Sequence, residues 1–391
     1  MDFTLLKPEI QAFINENIGA DISKLALRKN PFPEENWIEI LNQVSAKTKA
    51  KDKLPTWFSA ENIIYPSKVS VEQTSSEKTA LLKSALISGK TLIDLTGGFG
   101  VDDYYFARKM ESVIHCEINP ELSKIVSNNF KALSVENIQC ICGDSTQILQ
   151  DSEQQFDWIY IDPSRRNEAK GKVFMLKDCL PNVPDLLDFY FTKSDNILIK
   201  TAPILDITSG LSELKNVKTI HIVSVENEVK ELNWELSKGY SGEIQIKTLN
   251  ILPTEIQRFA FEMANPEKAK IELPKKYLYE PNSAIMKSGG FEQVAIQFQL
   301  AKLHQHSHLY TSDTKIDFPG RSFEIQMNLL YSKSEMKSFF ENRKYNVTTR
   351  NFPETVEALR KKWKIKDGGN AYCFFTTDAN NNKIALICSK I

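Results

Sequence analysis

Thr91 to Pro120, TLIDLTGGFGVDDYYFARKMESVIHCEINP, constrains this chain more than any other stretch. A short apolar run (Leu92, Ile93, Leu95) ends in a glycine-rich turn, a helical segment follows, and a second strand, Val113 to Glu117, closes on an acid. That order predicts a strand, turn, helix, strand unit of a parallel sheet. Gly98 and Gly100, with Gly97 before them, let the backbone turn tightly and approach a ligand closely. Glu117 lies about 20 residues beyond the turn, where a carboxylate takes the two hydroxyls of a ribose. The layout suits an adenosine-containing ligand.

A dinucleotide site wants a GxGxxG spacing, so that a pyrophosphate sits on a helix N-terminus. Here the order is Asp94, Leu95, Thr96, Gly97, Gly98, Phe99, Gly100, with an acid three residues before the first glycine. A carboxylate there repels a pyrophosphate and suits the ammonium or sulfonium end of S-adenosylmethionine. The stretch resembles motif I of class I S-adenosylmethionine-dependent methyltransferases, with Thr96 where that family usually has its first glycine.

The chain has 391 residues, 41% of them hydrophobic and 25% charged, which describes a globular protein with room for two or three domains. The N-terminus lacks a basic region followed by an apolar core, and no run approaches a membrane span, so the expected location is cytoplasmic. Six cysteines without CxxC spacing or histidine partners at zinc distance read as reduced core thiols, and no metal is expected. The net charge of -1 is uneven: residues 321–391 carry 13 Lys/Arg against 7 Asp/Glu, whereas residues 91–320 carry 24 against 32. A basic C-terminal module suits a polyanion, although a solvated face gives the same count.

Residues 1 to about 70 read as helical, with apolar spacing over Pro8 to Asn17 and Trp37 to Val44. Thr74 to Glu77 reads as a capping box, Thr74 at the cap, opening a helix through Leu82. Its N-H groups, at Thr74, also suit a ligand carboxylate. Further strands are predicted at Ile138 to Cys142, Phe156 to Ile161, Ile197 to Lys200 and Thr219 to Val225. All run into turns carrying chemistry-bearing residues, and such a doubly wound sheet binds its ligands at the strand carboxyl ends. The resemblance to class I methyltransferases implies that Asp144, after the third strand, receives the adenine amino group. Asp162-Pro163 matches the start of that family's acceptor motif, with Ser164 and Arg165 replacing its usual proline and aromatic residue. Asp162 is then the candidate to accept a hydrogen bond from the acceptor or act as a base, and Arg165 to face the acceptor. With Arg166, Arg165 suits a bidentate clamp on phosphate or carboxylate, or pairing with acids at the sheet's end. Carbon-5 methylation of a pyrimidine needs a cysteine nucleophile, which neither Asp162-Pro163 nor Lys200 to Pro203 offers. Lys200 and His221 read as rim and core residues, and Trp234 as core.

Beyond residue 240, Ile244 to Leu249 and Phe259 to Met263 alternate like antiparallel strands, and Phe291 to Leu303 reads as a helix. His304, His306 and His308 share one face if that stretch is extended, without a carboxylate or cysteine pattern to support a metal. Residues 321–391 read strand, helix, strand, helix, strand, strand. The motifs KLPTWF (Lys53 to Phe58), SVEQTSSEKTA (Ser70 to Ala80), DLTGGFGVD (Asp94 to Asp102), IDPSRR (Ile161 to Arg166), HIVSVENEVKEL (His221 to Leu232), HSHLYTSD (His306 to Asp313) and RNFPETVEALRKK (Arg350 to Lys362) resemble bacterial class I methyltransferases with a ferredoxin-like insert and a C-terminal THUMP-like domain. The resemblance spans essentially the whole chain. It implies an N-terminal helical region (1–70), a Rossmann-like methyltransferase domain (71–265), the insert (266–318) and an α+β THUMP-like domain (319–391). It also implies S-adenosylmethionine as cofactor and, because THUMP domains accompany RNA-modifying enzymes, an RNA partner such as tRNA or rRNA, with no membrane. Two alternatives stay open: methylation of a protein or small metabolite, and a catalytically idle nucleic-acid-binding module.

Overall fold

The computed structural model describes residues 3–165, 175–264 and 267–391. They form two compact units, residues Met1–Lys218 with Asn233–Ser241, and residues Thr219–Leu232 with Gly242–Ile391.

The first unit opens with α1 (Pro8–Glu16), α2 (Ile22–Ala26), α3 (Trp37–Lys53), α4 (Pro55–Ser59), α5 (Lys68–Gln73) and α6 (Glu77–Ser84). The third helix runs well past the predicted Val44, because Ala46, Lys47 and Ala50 extend the buried face begun by Ile40, Leu41 and Val44. Pro55 then closes it, since the residue before a proline is pushed out of helical geometry. Next come β1 (Thr91–Asp94), α7 (Val101–Ala107), β2 (Ser112–Glu117), α8 (Pro120–Ala132), β3 (Ile138–Cys142), α9 (Ser145–Asp151) and β4 (Trp158–Ile161). A short ribbon, β5 (Ser164–Arg165) and β6 (Cys179–Leu180), precedes α10 (Val183–Lys193), β7 (Asn196–Thr201) and α11 (Ile207–Glu213).

These five long strands lie in the order β7-β4-β1-β2-β3, and every pair is parallel. The chain starts in the middle, moves outward to β3, then returns to the other side of β1 with β4. Such a reversal opens a crevice at the carboxyl ends of β1 and β4, where open α/β sheets bind their ligands. Leu92, Ile93, Ile159, Ile161, Ile197, Leu198 and Ile199 are all buried. Continuous rather than alternating burial is what a parallel sheet covered on both faces requires.

In the second unit β8 (Val217–Val225) turns into β9 (Glu228–Ser237) through Glu226 and Asn227, both at positive φ, 51° and 65°. Two left-handed residues in succession make a type I′ hairpin turn, here built without glycine. The sequence reading left residues 228–237 unassigned as a strand. Trp234, beyond the switch back into the first unit, is core as expected and donates its indole N–H to Thr201 Oγ1 at 3.0 Å. β10 (Gln245–Ile251) runs parallel to β8, and β11 (Ile256–Glu262) pairs antiparallel with it. A second sheet is built from β12 (Tyr277–Pro281), α12 (Ser283–Ser288), α13 (Phe291–Gln297), β13 (Ala301–Lys302), β14 (Tyr310–Ser312), β15 (Gly320–Leu330), α14 (Lys333–Phe340), β16 (Lys344–Thr349), α15 (Val356–Trp363), β17 (Lys366–Thr377) and β18 (Lys383–Lys390). Its seven strands are ordered β13-β14-β12-β15-β18-β17-β16. From residue 320 onward the sequence reading of strand, helix, strand, helix, strand, strand is what the fold contains.

Candidate active site

The glycine turn after β1 is shaped by three separate demands. Gly98 (φ +56°) and Gly100 (φ +75°) adopt the left-handed region that side chains disfavour. Gly97 has no such backbone need, but a Cβ there would lie 2.2 Å from Cε1 of the fully buried His115 ring. Glu117, ending β2, ties the turn down: its Oε2 accepts the Gly98 N–H at 3.1 Å and its Oε1 the Asn119 N–H at 2.7 Å. Asp144, after β3, caps α9 through Oδ1, accepting from Thr146 and Gln147 at 2.8 and 3.2 Å. Gly98, Glu117, Asp144 and Asp162 all line one cavity of about 800 Å³, with Ile118 and Leu180 as apolar walls.

Asp94 does not line that cavity. It is 1% exposed, and its Oδ1 accepts both the backbone N–H and the hydroxyl of Thr96, at 2.7 and 3.0 Å. Burial, reinforced by neighbouring Asp103, pushes its carboxyl well above the usual range. Asp103 is raised in the same way, by burial and by Asp102, and touches His115 Nδ1 at 2.6 Å. Burial in turn pushes the His115 imidazole down. The acid expected to meet a cofactor ammonium therefore sits beneath the turn and shapes it from below.

Thr74 is likewise reassigned. It ends α5 in extended geometry, and the cap of α6 is Ser76, whose Oγ accepts the Thr79 N–H at 3.2 Å. Glu77 does not reach back as a capping box would. It accepts from the Thr56 N–H (2.6 Å), the Thr56 hydroxyl (2.8 Å) and the Tyr105 hydroxyl (2.7 Å). The reason is the short preceding helix, invisible in the sequence pattern, which uses Thr74 as its own terminus. Thr74 does not line the cavity.

On the acceptor side, Asp162 follows β4 and is held at two points. Its backbone N–H donates to Thr96 Oγ1 at 2.6 Å, and its Oδ2 pairs with Lys200 at the end of β7. Behind it lies a buried charged cluster. Lys83, fully buried, sits 3.2 Å from Asp102 Oδ1, and the Ser75 and Tyr160 hydroxyls donate to Asp102 Oδ2, each at 2.8 Å. Burial pushes Asp102 up, but the ammonium groups of Lys83 and Lys200 and the two hydroxyls outweigh it and hold the carboxyl below its usual range. Sequence reasoning placed Lys200 on the rim and gave Lys83 no role. The Arg165 side chain and the whole of Arg166, and with them the expected Arg clamp, lie outside the described residues.

Sequence-family profiles match three stretches: conserved hypothetical protein 95 over residues 74–178, a PG_1098-type ferredoxin-like domain over 277–319 and a THUMP domain-like region over 320–390. The crystal structure of a candidate methyltransferase from Porphyromonas gingivalis W83 matches over 98% of this chain and 98% of its own, with 29% identity and a TM-score of 0.88. Over essentially its whole length the chain has a methyltransferase fold. Two partial likenesses, to Trm5b from Pyrococcus abyssi (17% identity, 42% of this chain and 49% of that one, TM-score 0.31) and to M. capricolum TrmK with S-adenosyl-homocysteine (14%, 41% and 68%, 0.32), are too slight to carry an argument. No curated protein sequence matches.

Gly98 would meet nothing closer than the Thr96 carbonyl oxygen, 3.6 Å from an added Cβ, so the turn is open on the cavity side. Elsewhere three expectations change. His304 to His308 form a turn rather than a strand. His304 is held by Asn351 and Asn381, both at 3.0 Å, and His308 stacks on Phe291 with ring centroids 3.6 Å apart, where burial pushes its imidazole down to about 4. Among the described residues no group of three metal-capable side chains converges. The predicted helix from Phe291 to Leu303 stops at Gln297, because Gln299 turns left-handed at φ 53°. Cys142 is exposed and Cys140 half-buried, whereas the other four cysteines are buried free thiols. No helix among the described residues is long and apolar enough to cross a membrane.

Proposed function

We propose that this chain is an S-adenosylmethionine-dependent methyltransferase that modifies RNA, on a nitrogen or oxygen atom, with Asp162 at the acceptor. The observation that carries the reading is the pairing, in one chain, of a cavity lined by Glu117, Asp144 and Asp162 with a THUMP-like region over residues 320–390. In this reading Glu117 takes the ribose hydroxyls, Asp144 the adenine amino group, and the Gly97 to Gly100 turn the methionine portion. Methyl transfer is an in-line displacement at the sulfonium carbon, so the protein's task is orientation, which supplies roughly 7–11 kcal/mol of a barrier when done well. Asp162 accepts a hydrogen bond from the acceptor and takes its proton as the carbon–sulfur bond breaks. The partition of the chain at residues 70, 265 and 318 belongs to the same proposal.

The basic C-terminal residues support a polyanion partner less than their count suggests. Arg350 pairs with the buried Glu280, Arg360 with Asp367, Lys362 with Glu354 and Lys364 with Glu341. The test is to incubate the protein with methyl-labelled S-adenosylmethionine and a cell extract, then separate RNA, protein and small molecules. The proposal expects label in RNA that ribonuclease releases. Label confined to protein or metabolites overturns it.

A further inference from the structure

Thr96 occupies a position where the family pattern has glycine, and the fold gives that departure a use. The Thr96 hydroxyl donates to the buried Asp94 at 3.0 Å and accepts the backbone N–H of Asp162 at 2.6 Å. A glycine there makes neither bond. The hydroxyl therefore joins the turn after β1 to the segment after β4, just beyond the carboxyl ends of these two paired strands. Thr96 and Asp162 both line the cavity, and the Asp162 side chain is fixed independently by Lys200. One clamp sets where the Asp162 backbone lies, and the other sets which way its carboxylate points.

We propose that Thr96 and Lys200 are positioning residues that hold Asp162 in register with the bound cofactor. The proposal rests on the reading of Asp162 as the acceptor-side acid and goes beyond it by assigning how that acid is aimed. Asp94, buried beneath the turn, orients the Thr96 hydroxyl so that its lone pair faces Asp162. Only Thr or Ser supplies a hydroxyl at this point, whereas valine keeps the shape and loses both bonds. A misplacement of about 1 Å in such a group costs on the order of 100-fold in rate, whereas cofactor affinity, set by Glu117 and Asp144, is left nearly alone.

The experiment compares wild type with Thr96→Val, Thr96→Ser, Lys200→Met and Lys200→Arg. It measures kcat for methyl transfer to total RNA, cofactor Kd by calorimetry, and peptide-level hydrogen exchange across residues 158–164. The expected result is a loss of at least about tenfold in kcat for Thr96→Val and Lys200→Met. Cofactor Kd should stay within about threefold, Thr96→Ser and Lys200→Arg should recover most of the loss, and exchange at the Asp162 amide should quicken in Thr96→Val. Wild-type kcat and exchange in Thr96→Val overturn the proposal. So does a fall in transfer matched by an equal loss of cofactor affinity, which makes Thr96 part of the cofactor turn alone. If wild type puts no label into RNA while exchange still quickens in Thr96→Val, the RNA reading fails and the clamp stands.

Discussion

Two acids bracket the glycine turn, and only Glu117 reaches the cavity, since Asp94 is 1% exposed and already engaged by Thr96. Their substitutions should therefore behave in opposite ways. Glu117→Gln should weaken cofactor binding roughly 10- to 100-fold, as expected for losing hydrogen bonds to a charged group, whereas Asp94→Asn should change Kd by less than about threefold, both read by calorimetry. An equal loss in Asp94→Asn would restore Asp94 as the partner of the cofactor ammonium. The same acid makes a pH prediction. The folded Asp94 carboxyl titrates well above its ordinary value, so as pH rises the unfolded chain ionises first and the folded state loses stability. Asp94→Asn, which keeps an oxygen for Thr96, removes that loss. Urea melts should find the variant gaining on wild type between pH 5 and pH 7.5. Gly97→Ala forces a methyl into the buried His115 ring and should cost about 1–3 kcal/mol by the same melts. That Glu117, Asp144 and Asp162 line one cavity follows from their places at or just after strand ends, which a parallel sheet brings together. The contacts of Thr96 and Lys200 with Asp162 leave no such trace, because bonds between residues 66 and 38 apart make no local pattern.

Helix α6 shows what a cap signature leaves out. Thr74-Ser75-Ser76-Glu77 offers three hydroxyls, and the spacing to Glu77 favours the first, yet the fold uses the third. Ser76→Ala should cost about 1 kcal/mol of stability, the usual value for a lost N-cap, and Thr74→Ala less than half of that, both by urea denaturation. The reverse order would return the cap to Thr74. Strand 138–142 was read to the residue, since an apolar run closed by a glycine and an acid defines it sharply. β9 escaped because its hairpin turn, Glu226-Asn227, lacks the glycine that usually marks such a turn. The helix predicted to Leu303 was too long for a similar reason: its end is written in the left-handed backbone of Gln299, a residue type with no preference for that conformation.

Across the whole chain, the charge count and the fold weigh differently on the partner. Thirteen basic residues lie between 321 and 391, but several are matched by carboxylates within the same unit. RNA affinity should therefore fall only moderately with salt, because each phosphate contact contributes a slope of about 0.7 in log K against log salt for a single strand. A titration of binding against potassium chloride reads this directly, and no salt dependence at all would exclude the polyanion. The class of fold was legible at this scale because strand and helix alternate regularly from residue 91, whereas the neutralisation of the C-terminal charge emerges only when the second unit folds. The most direct test of the account is transfer of labelled methyl from S-adenosylmethionine to RNA by wild type and by Asp162→Ala, with cofactor affinity measured for both. The account predicts label in RNA that falls at least about 100-fold in the variant while cofactor Kd stays within about threefold. Equal labelling by the two proteins, or a wild type that binds cofactor and labels no RNA, would contradict it.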